Sequence, residues 1–326
     1  MTARPFPDRA NLTICFAHVA YRLGERFAAR NTGIRAVEVR SFEDLSARIP
    51  EADVLVVSGL WRNELMERAA NLKFIQSIGA GTDQFPRESL RARDIRLASA
   101  QGVNERAVAE HAMALILALM RHIPAGRDNQ RRRHWRGMIS DPCRREDELG
   151  GKTLLIVGLG RIGSRLATLA RAFGLRVVAT KRDPSTGTGT ADVVVSDARL
   201  GEVLPQADIV ALTCPLTPQT EKLIGEAALA AMKPSAYLVN VARGRVVDEP
   251  ALIASLNAGR IAGAALDCTV EEPLPESSPL WGFDSVLITP HTAGETRRYE
   301  DNLIDVLLEN LDHLWRGETE LKNQII

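Results

Sequence analysis

The sequence predicts an α/β protein with two doubly wound parallel-sheet domains. Three observations predict it: a length of 326 residues, a regular alternation of short apolar runs with helical stretches, and a glycine-rich turn between one such run and a helix. This length exceeds the usual size of one domain, and a hydrophobic content of 45% is enough for two cores. We therefore expect two domains.

Short β-type runs alternate with helical stretches over the first hundred residues. The runs are 13–19, 36–39, 53–58, 74–78 and 96–99. Strands that alternate with helices pair in parallel through crossover connections. The first domain is therefore predicted to contain a flavodoxin-like parallel sheet.

A second series of strands and helices follows a long helical pattern. That pattern starts after Val103, with Asn104 as its candidate N-cap, and runs toward His134. The later β-type runs are 153–157, 176–180, 191–195, 209–213, 237–241, 262–267 and 286–289. They are enough for a complete doubly wound, Rossmann-type sheet.

The last helical stretch, 295–315, follows this complete sheet and is expected to return to the first domain. The sequence therefore predicts a discontinuous first domain of residues 1–102 and 295–326. Residues 103–294 form the predicted inserted domain.

Composition argues against several classes of partner. Lys plus Arg and Asp plus Glu both number 41, so the chain lacks the net positive charge that nonspecific nucleic-acid or membrane-surface binding uses. An arginine-rich run at 131–136 is interpreted as a solvated or dimer-facing stretch rather than a nucleic-acid patch. The strongly apolar stretch 112–120 is about half as long as a membrane-spanning helix must be.

Cysteine usage and the N-terminal residues point to a cytoplasmic protein. The cysteines are far apart, form no CxxC pair and have no partner at zinc-finger spacing: Cys15, Cys143, Cys214 and Cys268. They are expected to be reduced thiols, and no metal site is predicted. The apolar segment 12–20 lacks the cleavage site of a signal peptide.

The glycine-rich turn predicts a dinucleotide site. The buried-strand pattern Thr153–Val157 leads directly into Gly158, Gly160 and Gly163, and a helical stretch follows. Gly158 permits a tight turn, Gly160 lets the backbone approach a pyrophosphate, and Gly163 lets the helix pack on the strand. Arg161 and Ile162 belong to the helix N-terminus, whose N–H groups attract an anion.

The end of the next strand bears on the choice of cofactor. NAD enzymes usually carry Asp or Glu there, whereas this chain has Lys181 and Arg182. Two cations would attract the 2′-phosphate of NADP, and the arginine fork matches its oxygens. We therefore favour NADP over NAD. In the alternative, both cations are solvated and Asp183 reaches the ribose hydroxyls.

Several motifs, in matching order and spacing, resemble the D-isomer-specific 2-hydroxyacid dehydrogenase family along essentially the whole chain. Besides the glycine turn they are 78–83 (IGAGTD), 108–111 (VAEH), 214–218 (CPLTP), 240–244 (NVARG), 266–267 (LD), 272–273 (EP) and 290–294 (PHTAG). The resemblance implies a dehydrogenase similar to the glyoxylate and hydroxypyruvate reductases. It also implies a homodimer, with the first domain binding a small 2-keto or D-2-hydroxy acid.

Reduction of a 2-keto acid needs a cation for the carboxylate and a proton donor for the carbonyl oxygen. Arg243 follows the run 237–241, at the strand end where such sheets bind ligands, although Arg245 could take the same role. The resemblance implies that Arg243 binds the substrate and that His291 carries the proton. Glu272 is expected to orient the His291 ring and favour its protonated form. Glu271 fits less well, because only Glu272 precedes the proline of the motif.

Further contacts are implied by the resemblance alone. Ile78, Gly79 and Ala80 would offer N–H groups to the substrate carboxylate, although an ordinary turn would have the same pattern. Asp267 would bind the nicotinamide carboxamide, or else act as a local cap. The other implied cofactor contacts are Cys214, Pro215, Thr220, Val241, Ala242 and Gly294.

Two alternatives to a glyoxylate or hydroxypyruvate reductase stay open. Phosphoglycerate dehydrogenase is one, although the chain ends soon after the closing helix, which leaves no room for an appended regulatory domain. The other is a nucleotide-sensing binding protein that resembles the C-terminal-binding-protein corepressors. Residues 104–107 (NERA) are bulkier than is common in the family, so the sequence does not identify the keto acid.

Overall fold

The computed structural model describes residues 6–326, which fold into two compact units. The first unit contains the described residues up to Asn104 together with Thr296–Ile326, and the second contains Glu105–Glu295. No helix within residues 6–326 has the length and apolar content needed to cross a bilayer.

The first unit contains a five-stranded parallel sheet. Its elements up to residue 98 are β1 (Thr13–Ala17), α1 (Leu23–Ala28), β2 (Arg35–Val39), α2 (Phe42–Arg48), β3 (Val54–Val57), α3 (Leu65–Arg68), β4 (Phe74–Ser77), α4 (Arg87–Ala92) and β5 (Arg96–Ala98). The strand order is β2-β1-β3-β4-β5, and every neighbouring pair is parallel. The central strands β1, β3 and β4 are buried along their length, as expected where helices cover both faces. This is the flavodoxin-like order.

The second unit contains a seven-stranded parallel sheet. Its elements are α5 (Glu105–Met120), α6 (Ile123–Arg131), β6 (Thr153–Val157), α7 (Arg161–Ala172), β7 (Arg176–Lys181), β8 (Val193–Ser196), α8 (Leu200–Val203), β9 (Ile209–Leu212), α9 (Glu226–Ala231), β10 (Tyr237–Asn240), α10 (Glu249–Asn257), β11 (Gly263–Leu266) and β12 (Val286–Ile288). The order β12-β11-β10-β9-β6-β7-β8 is the Rossmann order with one added strand. The predicted fold class is therefore confirmed.

Helix α11 (Tyr299–Trp315) belongs to the first unit. Leu303, Leu307 and Leu311 recur every four residues along it and are buried in a core that also contains strand residues of β1, β3 and β4. Asn310 donates from Nδ2 to Gln76 Oε1 at 3.0 Å, and both side chains are buried. The helix thus joins the sheet through apolar packing and one buried polar pair.

The expectation of one helix from residue 104 toward His134 is wrong. Helix α5 ends at Met120, His122 is left-handed with φ of 48°, and α6 starts at Ile123 with a proline in its first turn. Pro124 lacks an N–H group and disfavours helical geometry at the residue before it, so it starts a helix more readily than it continues one. No residue of α6 is buried.

Candidate active site

The glycine turn of the second unit links β6 to α7. Gly158 has φ of 97°, and a Cβ there would lie 2.7 Å from the Cα of Cys214. A Cβ at Gly163 would lie 2.5 Å from the carbonyl oxygen of Gly158, so only glycine lets α7 pack this closely. A Cβ at Gly160 would meet nothing within 4 Å. The turn is therefore tight at its two ends and open at Gly160, beside the N-terminus of α7, and this fits a dinucleotide phosphate group.

The cations predicted to select NADP lie at the end of β7, next to the glycine turn. Lys181 is the last residue of the strand and is half-buried, and Arg182 is exposed. Asp183 accepts from the backbone N–H of Ser185 at 3.0 Å and from its hydroxyl at 2.6 Å. These hydrogen bonds hold the pKa of Asp183 below its usual value. Its carboxylate thus caps the turn that follows the strand.

Several predicted cofactor residues of the second unit follow β9, which pairs with β6, or β10, which pairs with β9. Cys214 is buried against Gly158, and burial raises the pKa of its thiol to about 11. It is therefore a neutral packing group rather than a nucleophile. Thr220 donates from its hydroxyl to the carbonyl of Pro215 at 2.7 Å, which closes the turn after β9. Val241 and Ala242 are buried directly after β10, and Arg161, Ile162 and Gly294 are at least partly exposed.

Arg243 follows β10 and is half-buried. Its backbone is held by Asn240, which donates from Nδ2 to the Arg243 carbonyl at 3.0 Å. Its guanidinium donates to the carbonyl of Ala242 at 2.7 Å and forms no ion pair with a carboxylate among residues 6–326. Arg245, by contrast, is exposed and paired with Glu221 at 2.5 Å. Arg245 thus has a carboxylate partner and Arg243 has none among residues 6–326, and the contact of Arg243 with a substrate carboxylate stays a prediction.

His291 and Glu272 form a hydrogen-bonded pair. The distance from His291 Nδ1 to Glu272 Oε2 is 2.8 Å, and both side chains are about 40% exposed (44% and 40%). Glu272 Oε1 accepts from the backbone N–H of Thr269 at 3.1 Å, which fixes the carboxylate. Because a carboxylate only accepts, Nδ1 donates and Nε2 is left to exchange a proton. No comparable contact with Glu271 is found in the described chain, where its carbonyl accepts from the Thr269 hydroxyl.

Asp267 lies at the end of β11 and is 2% exposed. Its Oδ1 accepts from the hydroxyl of Thr289 at 2.6 Å and from the backbone N–H of Thr292 at 3.0 Å. Its Oδ2 accepts from the backbone N–H of Ala293 at 3.0 Å. Asp267 is thus an anchor for the segment that carries His291, and its contact with nicotinamide stays a prediction.

Two contributors to this site had no assigned role in the sequence analysis. Thr289 lies at the end of β12, and His111 lies on α5 within a motif that carried the family resemblance. His111 Nε2 is 3.0 Å from Thr289 Oγ1. A hydroxyl at a strand end or a histidine on a helix does not by itself indicate a functional residue. Only His111, which lies in the 108–111 motif, could have been singled out from the sequence.

The predicted substrate loop of the first unit follows β4. The carbonyl of Gly79 accepts from the Ser77 hydroxyl at 2.9 Å and from the Ala100 N–H at 3.1 Å. The hydroxyl of Tyr299 donates to the carbonyl of Ile78. These bonds fix the loop through its carbonyl groups. The N–H group of Ile78 donates to the Val57 carbonyl at 3.0 Å, so the expectation that it binds a substrate carboxylate is wrong for this residue. The use of the Gly79 and Ala80 N–H groups for a substrate carboxylate stays a prediction.

Comparison with known proteins identifies the family. A family model described as the NAD binding domain of D-isomer specific 2-hydroxyacid dehydrogenases matches residues 113–293, which is more than half of the chain. The chain belongs to the D-isomer specific 2-hydroxyacid dehydrogenase family. The matched residues lie inside the second unit, which is therefore the nicotinamide-cofactor domain of this oxidoreductase family.

Two curated relatives of this dehydrogenase family member carry different names. A glyoxylate reductase from Pyrococcus furiosus is 36% identical over 281 residues, which cover 85% of this chain and 83% of that protein. A D-3-phosphoglycerate dehydrogenase from Methanocaldococcus jannaschii is 36% identical over 283 residues, which cover 85% of this chain and 52% of that protein. The chain spans about half of the length of the phosphoglycerate dehydrogenases that it matches.

Solved structures share the fold over nearly the whole chain. The TT0316 protein of Thermus thermophilus is 33% identical with a TM-score of 0.83, covering 97% of this chain and all of that one (100%). An NADPH-dependent glyoxylate/hydroxypyruvate reductase from Sinorhizobium meliloti, solved with NADP and malonate, is 27% identical with a TM-score of 0.81. That match covers 97% of each chain.

Proposed function

We propose that this dehydrogenase reduces a small 2-keto acid of the glyoxylate or hydroxypyruvate type with NADPH, and oxidises the matching D-2-hydroxy acid in reverse. The observation that carries the proposal is the His291–Glu272 pair, in the same sheet-edge region as Arg243 and the glycine turn. Arg243 and His291 follow strands of the parallel sheet at their carboxyl ends, where ligands bind in such sheets. The names of the glyoxylate reductase relatives support this substrate class.

The nicotinamide group, when bound, supplies the hydride for reduction and accepts it in oxidation. Arg243 pairs with the substrate carboxylate, because its planar guanidinium matches two carboxylate oxygens. His291 keeps Nδ1 on Glu272 and exchanges the proton at Nε2 with the substrate oxygen. The protonated ring donates during reduction, and the neutral ring accepts during oxidation. Glu272 keeps the ring oriented by accepting the hydrogen bond from Nδ1.

NADP is the favoured cofactor in this proposal. Lys181 and Arg182 provide two cations at the end of β7, where the adenosine ribose of a dinucleotide binds. Asp183, the carboxylate of the alternative interpretation, is held at the turn by two hydrogen bonds from Ser185 to its Oδ1, next to these two cations. The charge at this position therefore complements a 2′-phosphate better than two hydroxyls.

A homodimer is part of the same proposal. The part of the chain from α6 to residue 138 presents large apolar side chains to water: Trp135 is 97% exposed, Met138 is 101% exposed and Ile123 is 59% exposed. Apolar groups grouped in this way on a domain surface commonly mark an interface. A single sedimenting species with the mass of one chain would contradict the dimer.

We also propose a cytoplasmic location, which is supported by free thiols at all four cysteines.

The proposed reaction is tested by keto-acid-dependent oxidation of NADPH and NADH, with glyoxylate, hydroxypyruvate and pyruvate as substrates. Arg243→Ala is expected to lower kcat/KM by about 10²- to 10³-fold, the loss when one member of a bound charge pair is removed. Arg245→Ala is the matched control, and its kcat/KM should stay within about twofold of wild type because its partner is Glu221 at the surface.

Two results would refute the proposal. One is a wild-type protein that binds nucleotide but oxidises neither cofactor with any keto acid, which would favour the nucleotide-sensing alternative. The other is a larger loss of kcat/KM in Arg245→Ala than in Arg243→Ala, because Arg245 rather than Arg243 would then bind the substrate carboxylate.

A further inference from the structure

The segment that carries His291 is anchored on both sides of that residue by Asp267. The Thr289 hydroxyl binds Asp267 on one side, and the Thr292 and Ala293 N–H groups bind it on the other. Since Asp267 is 2% exposed, water competes poorly for these bonds. The position of the imidazole therefore depends on a carboxylate that lies outside the His291–Glu272 pair.

His291 itself has an unfavourable backbone conformation. Its φ is 55°, in the left-handed region that residues other than glycine seldom adopt. Its N–H donates to the Thr289 carbonyl at 3.0 Å, which makes a tight turn around the intervening proline. A strained residue of this kind persists only where the surrounding structure holds it, so loss of an anchor should let the segment relax.

One anchor comes from a different element. His111 lies on α5, between the buried residues Ala109 and Ala112, and its side chain is 24% exposed. Its Nε2 is 3.0 Å from Thr289 Oγ1 and 3.4 Å from Asp267 Oδ1. The Thr289 hydroxyl donates its hydrogen to the carboxylate, so its oxygen accepts from His111 Nε2–H. A helix packed in the core thus contacts the Thr289 hydroxyl at hydrogen-bond distance and lies close to the Asp267 carboxylate.

We propose that His111 is a positioning residue for His291, acting through Thr289 and Asp267. The proposal rests on the proposed dehydrogenase function, because it concerns the acid/base group of that reaction. His111 fixes the hydroxyl of Thr289, the hydroxyl and Asp267 fix the 289–293 segment, and the segment holds the imidazole in place for proton transfer. Correct geometry matters here because small misplacements of a reacting group lower rates strongly.

The test compares substitutions that keep or remove each donor. His111→Leu and Thr289→Val are expected to lower kcat for keto-acid reduction about tenfold each. His111→Gln keeps an N–H donor at a similar reach, and Thr289→Ser keeps the hydroxyl, so both should retain kcat within about threefold of wild type.

The double variant His111→Leu/Thr289→Val decides whether the two residues act together. If His111 acts through Thr289, the double variant should be no slower than the slower single variant. Two results would overturn the proposal: losses that multiply in the double variant, or a loss in His111→Gln as large as in His111→Leu.

A second readout does not depend on turnover. The imidazole signals of His291, assigned in NMR spectra by comparison with His291→Asn, should shift in His111→Leu and in Thr289→Val. They should not shift in His313→Leu, a control in the first unit. A wild-type protein without activity would refute the dehydrogenase function alone. Unchanged His291 signals in both variants would refute the positioning role alone.

Discussion

Replacing Glu272 by glutamine tests the acid/base pair with little change in shape. Glutamine keeps an oxygen that can accept from Nδ1 of His291 at the 2.8 Å contact, and it removes the negative charge. The charge attracts the positive imidazole that gives its proton to the substrate during reduction, and glutamine lacks this attraction. Glu272→Gln should therefore reduce keto acids more slowly than wild type.

The size of this loss follows from the contact and its exposure. Two unit charges about 4 Å apart interact by about 1 kcal/mol in water and about 4 kcal/mol near a protein surface. Both side chains are about 40% exposed, so water screens the pair and the lower part of this range applies. An interaction of about 1.4 kcal/mol corresponds to a factor of ten, and we expect kcat/KM for keto-acid reduction to fall about tenfold.

The assay is kcat/KM for keto-acid reduction, measured for wild type, Glu272→Gln and Glu271→Gln. Glu271 is the matched control, since the same change one residue earlier leaves the contact with His291 intact. Its kcat/KM should coincide with that of wild type. An unchanged kcat/KM in Glu272→Gln, or an equal loss in both variants, would show that Glu272 does not support the proton carrier.

Two further predictions concern the cofactor and the stability of the second unit. Arg182→Ala should lower kcat/KM with NADPH about tenfold and leave kcat/KM with NADH within about twofold of wild type. Arg176→Ala, at the other end of β7, is the control and should change neither value. A wild-type preference for NADH would refute the interpretation that these cations bind a 2′-phosphate. Asp208 accepts from Lys233 at 2.7 Å and from the Thr153 N–H at 2.8 Å. Burial raises the pKa of the Asp208 carboxyl group, but these hydrogen bonds lower it by more, so the pKa of the folded state lies below 3.8. The stabilisation is therefore present above pH 3.8 and is lost as the pH falls through the lower pKa of the folded state. Asp208→Asn should lower the free energy of unfolding at pH 7 by about 1–3 kcal/mol, measured by denaturant titration, and an equal difference well below pH 3.8 would contradict the ionised role.

The strands could be predicted from the sequence because parallel strands that are covered by helices on both faces have continuous apolar sequences. Thr153–Val157 is buried throughout, as its composition predicts. The expected helix toward His134 failed at Pro124, because the apolar and polar periodicity continued past a residue that breaks a helix. That prediction followed the periodicity of the side chains and did not take into account that Pro124 lacks a backbone N–H.

Within the site, the sequence could name residue types but not their partners. Arg243 and Arg245 are equally suited to a carboxylate in composition, and what separates them is the ion pair of Arg245 with Glu221, which is 24 residues distant in sequence. Asp183 could not be recognised as a turn cap until its bonds to Ser185 were visible. Such contacts depend on where the folded backbone places each side chain, and one sequence does not contain that information in a local pattern.

Asp267 had two interpretations, a local cap and a contact for nicotinamide, and its geometry makes them compatible. A carboxylate has about four acceptor positions. Oδ1 accepts from the Thr289 hydroxyl and the Thr292 N–H, whereas Oδ2 accepts from the Ala293 N–H within the described chain. Oδ2 can therefore accept one more hydrogen bond, which an amide group could donate. Because the same carboxylate holds the segment around His291, an amide donor on Oδ2 would link cofactor binding to the placement of the proton carrier.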